Sequence, residues 1–353
     1  MINFWFGSDD PNVKGNFDFV FSIVGVVLAN GEVWSQQRRF TFGIFRKFGI
    51  GRAKFESKIA DESHAVIEEI ASYKETPFDP NHLLINAVSN VICSVIFGKR
   101  YEYSDDKFKY FMAVSTRQLQ LSVKHLPVIF IPALRFLPFA AKALKETTVN
   151  FFKLQKFAAE HIHNHKSDFH PEEQRDYIDS YLHEIHLNEE GDIRGKYPKL
   201  SEDTLKVTIM QLFGAGTDTT ALSMRWGILY MTRYPDVQTA VQEEIDSVVG
   251  RDRLPKIADK PFLKYSQAVL LEIQRMASIS RFGVFHRCNK TTVLQGLTIP
   301  EDAIIVSNLW AVHRDPELWK DPCVFRPERF LDDNGDVCNR EELIPFSIGE
   351  FYT

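Results

Sequence analysis

The spacing of hydrophobic residues along most of the chain follows the period of an α-helix. In residues 53–73, apolar side chains recur at three- and four-residue intervals, as they do on one face of a surface helix. Residues 81–98 are apolar nearly all round and end at Gly98, which predicts a buried helix with a glycine cap. Two β-rich runs within residues 283–310 predict a small antiparallel sheet. The predicted fold class is therefore mainly α with a small β-sheet. Further helices are predicted over residues 30–49, 201–234 and 262–278.

The predicted helix 201–234 contains a stretch that helix propensity disfavours. It begins with two acidic residues and ends before Pro235, but its middle is "GAGTDTT", residues 214–220. Each internal glycine costs about 1 kcal/mol relative to alanine. The stretch indicates that a flat group packs on the helix backbone, that the helix opens locally, or that two helices cross through small residues. Asp218 beside Thr219 also places an acid next to a hydroxyl, a pair able to relay protons.

Two pairs of polar residues lie at helical spacing. Glu272 and Arg275 share a face of the 262–278 helix among apolar neighbours, which indicates a buried ion pair, although this spacing also occurs often by chance in surface pairs. Because a buried pair is costly unless further hydrogen bonds satisfy it, a third polar partner is expected elsewhere in the chain. Trp34 and Arg38 are four residues apart, so one helix face presents an indole N–H and a guanidinium suited to a carboxylate.

Two further segments each admit two interpretations. Three prolines interrupt the apolar segment 126–139, "LPVIFIPALRFLPF", so we do not expect a regular helix to run through it. The segment is either an ordinary core loop or a surface that contacts a membrane. His161, His163 and His165 alternate in "HIHNHK", where metal binding is one interpretation. Alternation on a helix splays these rings apart, which favours a solvated polar face.

Composition excludes some classes of function. The net charge of −5 carries no basic excess, so a nucleic-acid partner is not indicated. The 29 phenylalanines suit either a large core or an apolar ligand cavity. The cysteines show neither zinc-like spacing nor a disulfide framework, which favours a reducing compartment; they are Cys93, Cys288, Cys323 and Cys338. The apolar stretch 17–29 contains Asp18 and is too short to cross a bilayer.

Five motifs occur in a fixed order along the chain. They are "WSQQR" at 34–38, "AGTDTT" at 215–220, "EIQR" at 272–275, "FRPERF" at 325–330 and "PFSIG" at 345–349. With these motifs the chain resembles the cytochrome P-450 family of heme-thiolate monooxygenases over residues 26–349. The resemblance extends to the animal microsomal branch that handles xenobiotics, fatty acids and steroids. It implies one P-450 domain over residues 1–353 that lacks the N-terminal anchor and sheet region and the C-terminal cysteine loop and helix.

The resemblance also implies roles for individual residues. Asp218 and Thr219 match the catalytic acid–alcohol pair that delivers protons to dioxygen. Glu272, Arg275 and Arg329 match a structural trio on the proximal side, in which Arg329 is the third partner that burial requires. The residues that the family pattern places against heme b are Trp34, Arg38, Ala215, Gly216, His286, Phe346 and Gly349.

The last residues depart from the family's loop pattern, FxxGxRxCxG. Phe346 and Gly349 match it, but Phe351 stands where the propionate-binding arginine belongs. Thr353 stands where the iron-ligating cysteine belongs, and none of the four cysteines replaces it in register. We therefore assign no metal ligand and expect residues 345–353 to be a truncated heme-binding loop. We also expect the chain alone not to be a competent monooxygenase.

Partners follow from the resemblance as well. It implies an apolar small-molecule substrate, electrons from an NADPH-dependent flavoprotein reductase, and a location on the cytoplasmic face of the endoplasmic reticulum membrane. Residues 126–139 correspond to the family's membrane-dipping loop, which favours membrane contact over a core loop. The alternative function is a non-catalytic truncated isoform or fragment that acts only by binding a membrane or a partner.

Overall fold

A computed structural model describes residues 2–3, 25–27, 29, 31–191, 195–338 and 340–348. These residues are mostly helical with small antiparallel sheets, which confirms the predicted fold class. The α-helices are α1 (Gly31–Phe48), α2 (Glu56–Ser72), α3 (Asn81–Ile96), α4 (Asp106–Phe130), α5 (Pro138–Ser167), α6 (Tyr177–Glu189), α7 (Glu202–Arg233), α8 (Pro235–Val248), α9 (Lys264–Ala277) and α10 (Leu309–Val312). The strands are β1 (Ile2–Asn3), β2 (His286–Cys288), β3 (Thr292–Leu294), β4 (Leu297–Ile299) and β5 (Ile304–Ile305).

The chain divides into two compact units. The first unit comprises Met1–Phe4, Gly49–Leu84 and Thr219–Thr353, and the second comprises Trp5–Phe48 and Ile85–Asp218. Helices α3 and α7 therefore contribute residues to both units. The prediction of one domain over residues 1–353 stays a prediction.

The second unit is built around one apolar cluster lined by α1, α3, α4, α5, α6 and α7. Tyr177 and Tyr181 of α6 are fully buried in it, and their hydroxyls hydrogen-bond to Thr41 Oγ1 (2.9 Å) and Thr204 Oγ1 (2.6 Å). Because both hydroxyls have partners, burying these large aromatic rings costs no unsatisfied polar group. Asp176 begins α6 by accepting the backbone N–H of Asp179.

The first unit contains the sheets. β2 lies between β1 and β5 with antiparallel pairing on both sides, and β3 and β4 form a separate hairpin. Gln295 and Gly296 both have positive φ, at 49° and 80°, as the two-residue turn of such a hairpin requires. Two small apolar clusters each include residues of α9, one together with Trp319 and Phe330 and the other together with Phe325.

The proline-containing segment 126–139 is more helical than we expected. Helix α4 continues past Pro127 to Phe130, so Pro127 itself does not end it, but no regular helix runs through the whole segment, as expected. The break lies at Ile131, which has non-helical backbone angles (φ −129°, ψ 82°). A 3₁₀ turn follows at Pro132–Phe136, and α5 then begins at Pro138, where a missing N–H costs nothing. In the part of the chain that the structure describes, no helix is both long and apolar enough to cross a bilayer.

Candidate functional site

Three charged residues form a buried cluster at α9 in the first unit. Arg275 donates from Nε to Glu272 Oε2 and from Nη2 to Glu272 Oε1, both at 2.8 Å. Arg329, from the 3₁₀ turn Pro327–Phe330, donates from Nε to Glu272 Oε1 at 3.1 Å. Glu272 and Arg275 are 0% exposed and Arg329 is 6% exposed. The structure thus brings together the three residues that the sequence grouped, and Arg329 occupies the place of the third partner.

Backbone groups satisfy the rest of this cluster. The backbone N–H of Arg326 donates to Glu272 Oε1 at 2.9 Å, and Arg275 Nη1 donates to the carbonyls of His313 (2.7 Å) and Pro322 (2.8 Å). The buried Trp319 ring lies 5.1 Å from the Arg275 guanidinium, at cation–π distance. Two guanidiniums share one carboxylate, so the surplus positive charge is stabilised by these carbonyls and by the ring. Such complete satisfaction is what makes a buried ion cluster tolerable.

The small-residue stretch of α7 lies inside a continuous helix. A Cβ on Gly216 would come within 2.9 Å of Ile92 Cδ1 on α3, whereas a Cβ on Gly214 would meet nothing within 4 Å. Thr217 is fully buried, and its hydroxyl accepts a hydrogen bond from Ser89 Oγ of α3 at 3.4 Å. Within the second unit, a crossing of α3 and α7 through small residues therefore accounts for Gly216. The helix does not open locally.

Asp218 and its neighbours present a different face of α7. Asp218 is half-buried, and this burial raises the pKa of its carboxyl above the ordinary value. Ala215 and Thr219 are both exposed and lie one helical turn apart. The arrangement places a carboxyl that holds its proton more strongly than usual beside a small, accessible helix surface.

Trp34 and Arg38 lie on one face of α1. The indole Nε1–H of Trp34 donates to the carbonyl of Val26 at 3.0 Å. The Arg38 guanidinium lies 5.6 Å from the centre of the Trp34 ring and 4.8 Å from that of Phe42. Both side chains are half-buried in the second unit. The indole N–H is thus already engaged, and the guanidinium stacks on two aromatic faces.

The remaining candidates lie in the first unit or outside the described residues. His286 begins β2, where it pairs with Ile305, and burial lowers the pKa of its imidazole. Phe346 is 87% exposed on a turn that ends at Ser347. Gly349 and the departures at Phe351 and Thr353 lie outside the described residues. Their predicted roles stay predictions.

Sequence reasoning missed two residues that hold this region together. His313 and Trp319 belong to none of the five motifs, yet each is 1% exposed. His313 contacts Ser278 at the end of α9 through Nδ1 (3.0 Å) and the backbone N–H of Ile344 through Nε2 (3.0 Å). The available signal was the residue type: a histidine or tryptophan, when buried, needs a hydrogen-bond partner.

The histidine segment of α5 is also different from the expectation. His161 is buried and hydrogen-bonds to the Tyr101 hydroxyl, while His165 bonds to Asp176 at 2.7 Å, so a solvated polar face is wrong for these two. His163 is exposed. His165, Asp176 and Asp179 bring possible ligand atoms within 4.8 Å of one another. The Asp179 carboxylate is bound by Arg175, and the Asp176 carboxylate caps α6.

The four thiols each lie in surroundings of their own. Cys93 is 0% exposed in the core of the second unit, and Cys288 donates from Sγ to the carbonyl of Lys290 at 3.0 Å. Cys323 is exposed next to Pro322, and Cys338 lies 3.9 Å from the carbonyl of Arg329. Among the described residues, segment 340–348 contains no thiol.

Comparisons with known proteins agree on one family. The family model described as "Cytochrome P450" matches residues 5–350. The chain is 40% identical to cytochrome P450 2U1 of Bos taurus over 330 residues, which cover 92% of this chain and 60% of that protein. It is 40% identical to the Homo sapiens 2U1 protein over 351 residues (97% and 62%) and 37% identical to Homo sapiens cytochrome P450 2J2 over 336 residues (94% and 65%). The chain therefore spans less than two thirds of the length of these relatives.

Proposed function

The chain belongs to the cytochrome P450 family, and from this premise we propose that it serves a heme-dependent monooxygenase reaction on an apolar organic substrate. One oxygen atom of dioxygen would be inserted into the substrate. The observation that carries the proposal is the half-buried Asp218 beside Thr219 on α7, a carboxyl whose pKa is raised by desolvation. Family names support the class of reaction and leave the substrate open.

The described residues fit parts of a heme site. Ala215 and Thr219 offer a small exposed helix surface, and Phe346 and Ile348 are exposed apolar side chains on a tight turn; each by itself is of a type that a flat apolar macrocycle can contact. Arg38 is a cation of the type that pairs with a propionate. The axial thiolate is not assigned to any described residue. Heme b, when bound, supplies the activation of dioxygen.

Asp218 and Thr219 would move protons. A carboxyl with a raised pKa is protonated for a larger share of the time near neutral pH than an ordinary aspartate, so it can act as a general acid. The adjacent Thr219 hydroxyl both donates and accepts hydrogen bonds, which lets it pass a proton onward.

The test begins with heme binding by the full 353-residue chain. The protein is expressed with heme supplied, reduced under carbon monoxide, and its absorption spectrum is recorded. A red-shifted Soret band of the thiolate type would support the monooxygenase. Failure to bind heme would instead favour the alternative, a non-catalytic protein that binds a membrane or a partner.

A variant then tests the proton path. This second test applies where the spectrum shows heme bound through a thiolate and wild type forms measurable product from 7-ethoxycoumarin, the apolar probe, with a flavoprotein reductase and NADPH. Asp218→Asn should then lower product formation about 100-fold or more, because a positioned acid typically contributes that much. The matched control is Asp252→Asn, which removes an exposed carboxylate. Equal product formation by wild type and Asp218→Asn would contradict the assigned role.

We also propose that the protein acts at the cytoplasmic face of the endoplasmic reticulum membrane, with residues 126–139 touching the lipid. The support is an exposed apolar surface around the break between α4 and α5. Its exposed fractions are 55% for Ile131, 76% for Phe136, 42% for Leu137 and 69% for Phe139. Singly exposed apolar residues are ordinary, but a contiguous set on one loop marks an interaction surface.

Flotation with phosphatidylcholine–phosphatidylserine vesicles tests the membrane contact. The double variant Phe136→Ser/Phe139→Ser should float at least tenfold less than wild type, because two large apolar side chains no longer enter the interface. Phe262→Ser is the matched control, since Phe262 is a 66% exposed phenylalanine of a different segment. Equal flotation of the double variant and wild type would contradict the assignment.

A further inference from the structure

The turn that bears Phe346 is held at its base by Ile344. The carbonyl of Ile344 accepts the backbone N–H of Ser347 at 3.0 Å, which closes the turn across Pro345 and Phe346. Ser347 has a φ of 65°, a left-handed conformation that costs energy for a residue with a Cβ. Such strain persists only where the surroundings hold the backbone in place. The backbone N–H of Ile344 supplies that hold by donating to His313 Nε2 at 3.0 Å.

The hydrogen bonds around His313 define its tautomer. A backbone N–H can only donate, so Nε2 must be the unprotonated nitrogen and Nδ1 carries the hydrogen. Nδ1–H then donates to Ser278 Oγ at 3.0 Å. The Ser278 hydroxyl in turn donates to the carbonyl of Arg275 (2.8 Å) and also accepts from Arg314 Nη1 (3.3 Å). Each of these hydrogen bonds then has one donor and one acceptor. This is possible only if the His313 ring is neutral.

The same residue is tied to the buried ion cluster through its backbone. The carbonyl of His313 accepts from Arg275 Nη1 at 2.7 Å, and Arg275 is held by Glu272. The next residue, Arg314, donates to the carbonyl of Met276 at 2.6 Å. His313 therefore contacts the end of α9 through its ring, its carbonyl and its neighbour.

We propose that His313 is a positioning residue that couples the Glu272–Arg275–Arg329 cluster to the turn at residues 344–348. Its neutral ring spans from Ser278 on α9 to the N–H of Ile344, so the rigid cluster determines where Phe346 and Ile348 project. The purpose of that turn rests on the proposed function. The positioning itself is a property of the chain's own residues and is tested without heme.

Charge around the ring keeps it neutral. Arg275 of α9 and Arg314 of its own segment face His313, while Ser278 and Ile344 present uncharged groups. Burial, Arg275 and Arg314 together lower the pKa of His313 to about 4. Above that pH the ring accepts from Ile344, and below it a protonated Nε2 would oppose a second N–H donor. Acidification through this range should release the turn.

Hydrogen exchange in the full chain, without added heme, tests the coupling. In His313→Leu the peptide covering residues 340–348 should exchange roughly tenfold faster than in wild type, because the hold on Ile344 is lost. His313→Gln retains an acceptor near the Nε2 position and should restore part of the protection. Leu309→Ala is the control, because it removes an equally buried side chain of α10 and keeps the bond to Ile344.

The outcomes separate positioning from a merely structural role. If Leu309→Ala accelerates residues 340–348 as much as His313→Leu does, the effect is general destabilisation and the proposal fails. Nitrogen NMR of ¹⁵N-histidine protein gives a second measure that does not depend on a destabilised variant. Wild type should show a neutral ring protonated on Nδ1 near neutral pH, assigned by its loss in His313→Gln. An imidazolium or the Nε2–H tautomer would overturn the proposal whether or not heme binds.

Discussion

At Asp218, the burial that raises the carboxyl pKa for the proposed chemistry also affects the stability of the folded protein. Burial raises the pKa of its carboxyl, so ionisation costs more in the folded than in the unfolded protein. This residue's contribution to stability is complete below the ordinary aspartate pKa of about 3.9 and is lost as the pH rises through the raised folded-state pKa. We therefore predict that Asp218→Asn is more stable than wild type near neutral pH.

Denaturant unfolding across a pH series checks this prediction. The free energies of unfolding of wild type and Asp218→Asn should converge below about pH 3.9 and separate as the pH rises. Asp252→Asn should follow wild type throughout. A constant difference between wild type and Asp218→Asn at all pH values would show that the carboxylate's ionisation is not the cause.

The pKa of His165 is also raised, but a charged partner rather than burial is the cause. Its Nδ1 lies 2.7 Å from the carbonyl of His161 and its Nε2 lies 2.7 Å from Asp176 Oδ2, so both ring nitrogens face acceptors and the charged ring satisfies both. Burial lowers the pKa of His165, but the hydrogen bond and charge of Asp176 outweigh it and the net pKa is raised. The stabilisation is therefore complete below the ordinary pKa of 6.5 and is lost as the pH rises through the folded-state value.

His165→Gln tests this ion pair. At pH values below 6.5 the variant should lose about 2 kcal/mol of unfolding free energy, the scale of a hydrogen bond to a charged group. The loss should shrink as the pH rises, because wild type then loses the same interaction. His163→Gln changes an exposed ring and should leave the wild-type pH dependence intact. A pH-independent loss would count against the charged pair.

Helix α7 offers a matched pair of glycines at the scale of an element. Gly214 faces open space, so Gly214→Ala should raise the free energy of unfolding by about 1 kcal/mol through helix propensity alone. Gly216→Ala has the same propensity gain, but its Cβ would lie 2.9 Å from Ile92 Cδ1. Ile92 must then change its position in the crossing of α3 and α7, so Gly216→Ala should gain less than Gly214→Ala or lose stability.

A double variant identifies the cause. Ile92→Val removes the Cδ1 atom that the new Cβ would meet. In the Ile92→Val background, Gly216→Ala should therefore recover the propensity gain that Gly214→Ala shows in wild type. Equal effects of the two glycine substitutions in wild type would mean that the crossing is loose. Denaturant midpoints at fixed m-value measure all four variants.

Local sequence signals predicted that these helices exist, and they also predicted the helix ends to within a few residues. The sequence predicted helices over 201–234 and 262–278, and the structure has Glu202–Arg233 and Lys264–Ala277. Acidic first turns and a terminating proline are local signals, so they act whatever the tertiary structure is. In segment 126–139, the same reliance on local signals placed the end of α4 too early. A proline was counted as a local break, yet one proline is tolerated inside a long helix that packs along much of its length.

The distribution of buried apolar side chains differs between the two units of the whole molecule. Among the described residues, the second unit contains a large cluster that runs from Phe40 to Phe213, whereas the first contains smaller clusters at Trp319 and Phe325. The hairpin of β3 and β4 leaves Val293, Leu294 and Leu297 at least 62% exposed. Local opening costs little where few apolar contacts are lost.

Hydrogen exchange over the full chain should reflect this difference. Amides of α6, which are buried almost throughout, should be among the slowest to exchange, and amides of the β3–β4 hairpin among the fastest of the ordered segments. The comparison of these two peptides in one experiment is internally controlled. A hairpin as protected as α6 would contradict the inference that apolar burial governs protection here.

The sequence by itself determined the family, the helical class and the identity of the candidate site residues. These follow from short-range patterns: periodicity, capping residues, and motifs whose residues are close along the chain. It also required a third partner for Glu272 and Arg275, because an isolated buried pair is too costly. The tertiary structure decided which groups satisfy each buried residue. His313 acquires its hydrogen-bond partners from residues 31 and 35 positions away along the chain, and Asp176 raises the pKa of His165. Such partners meet only when the fold brings distant segments together, and desolvation then determines which protonation state each buried group keeps.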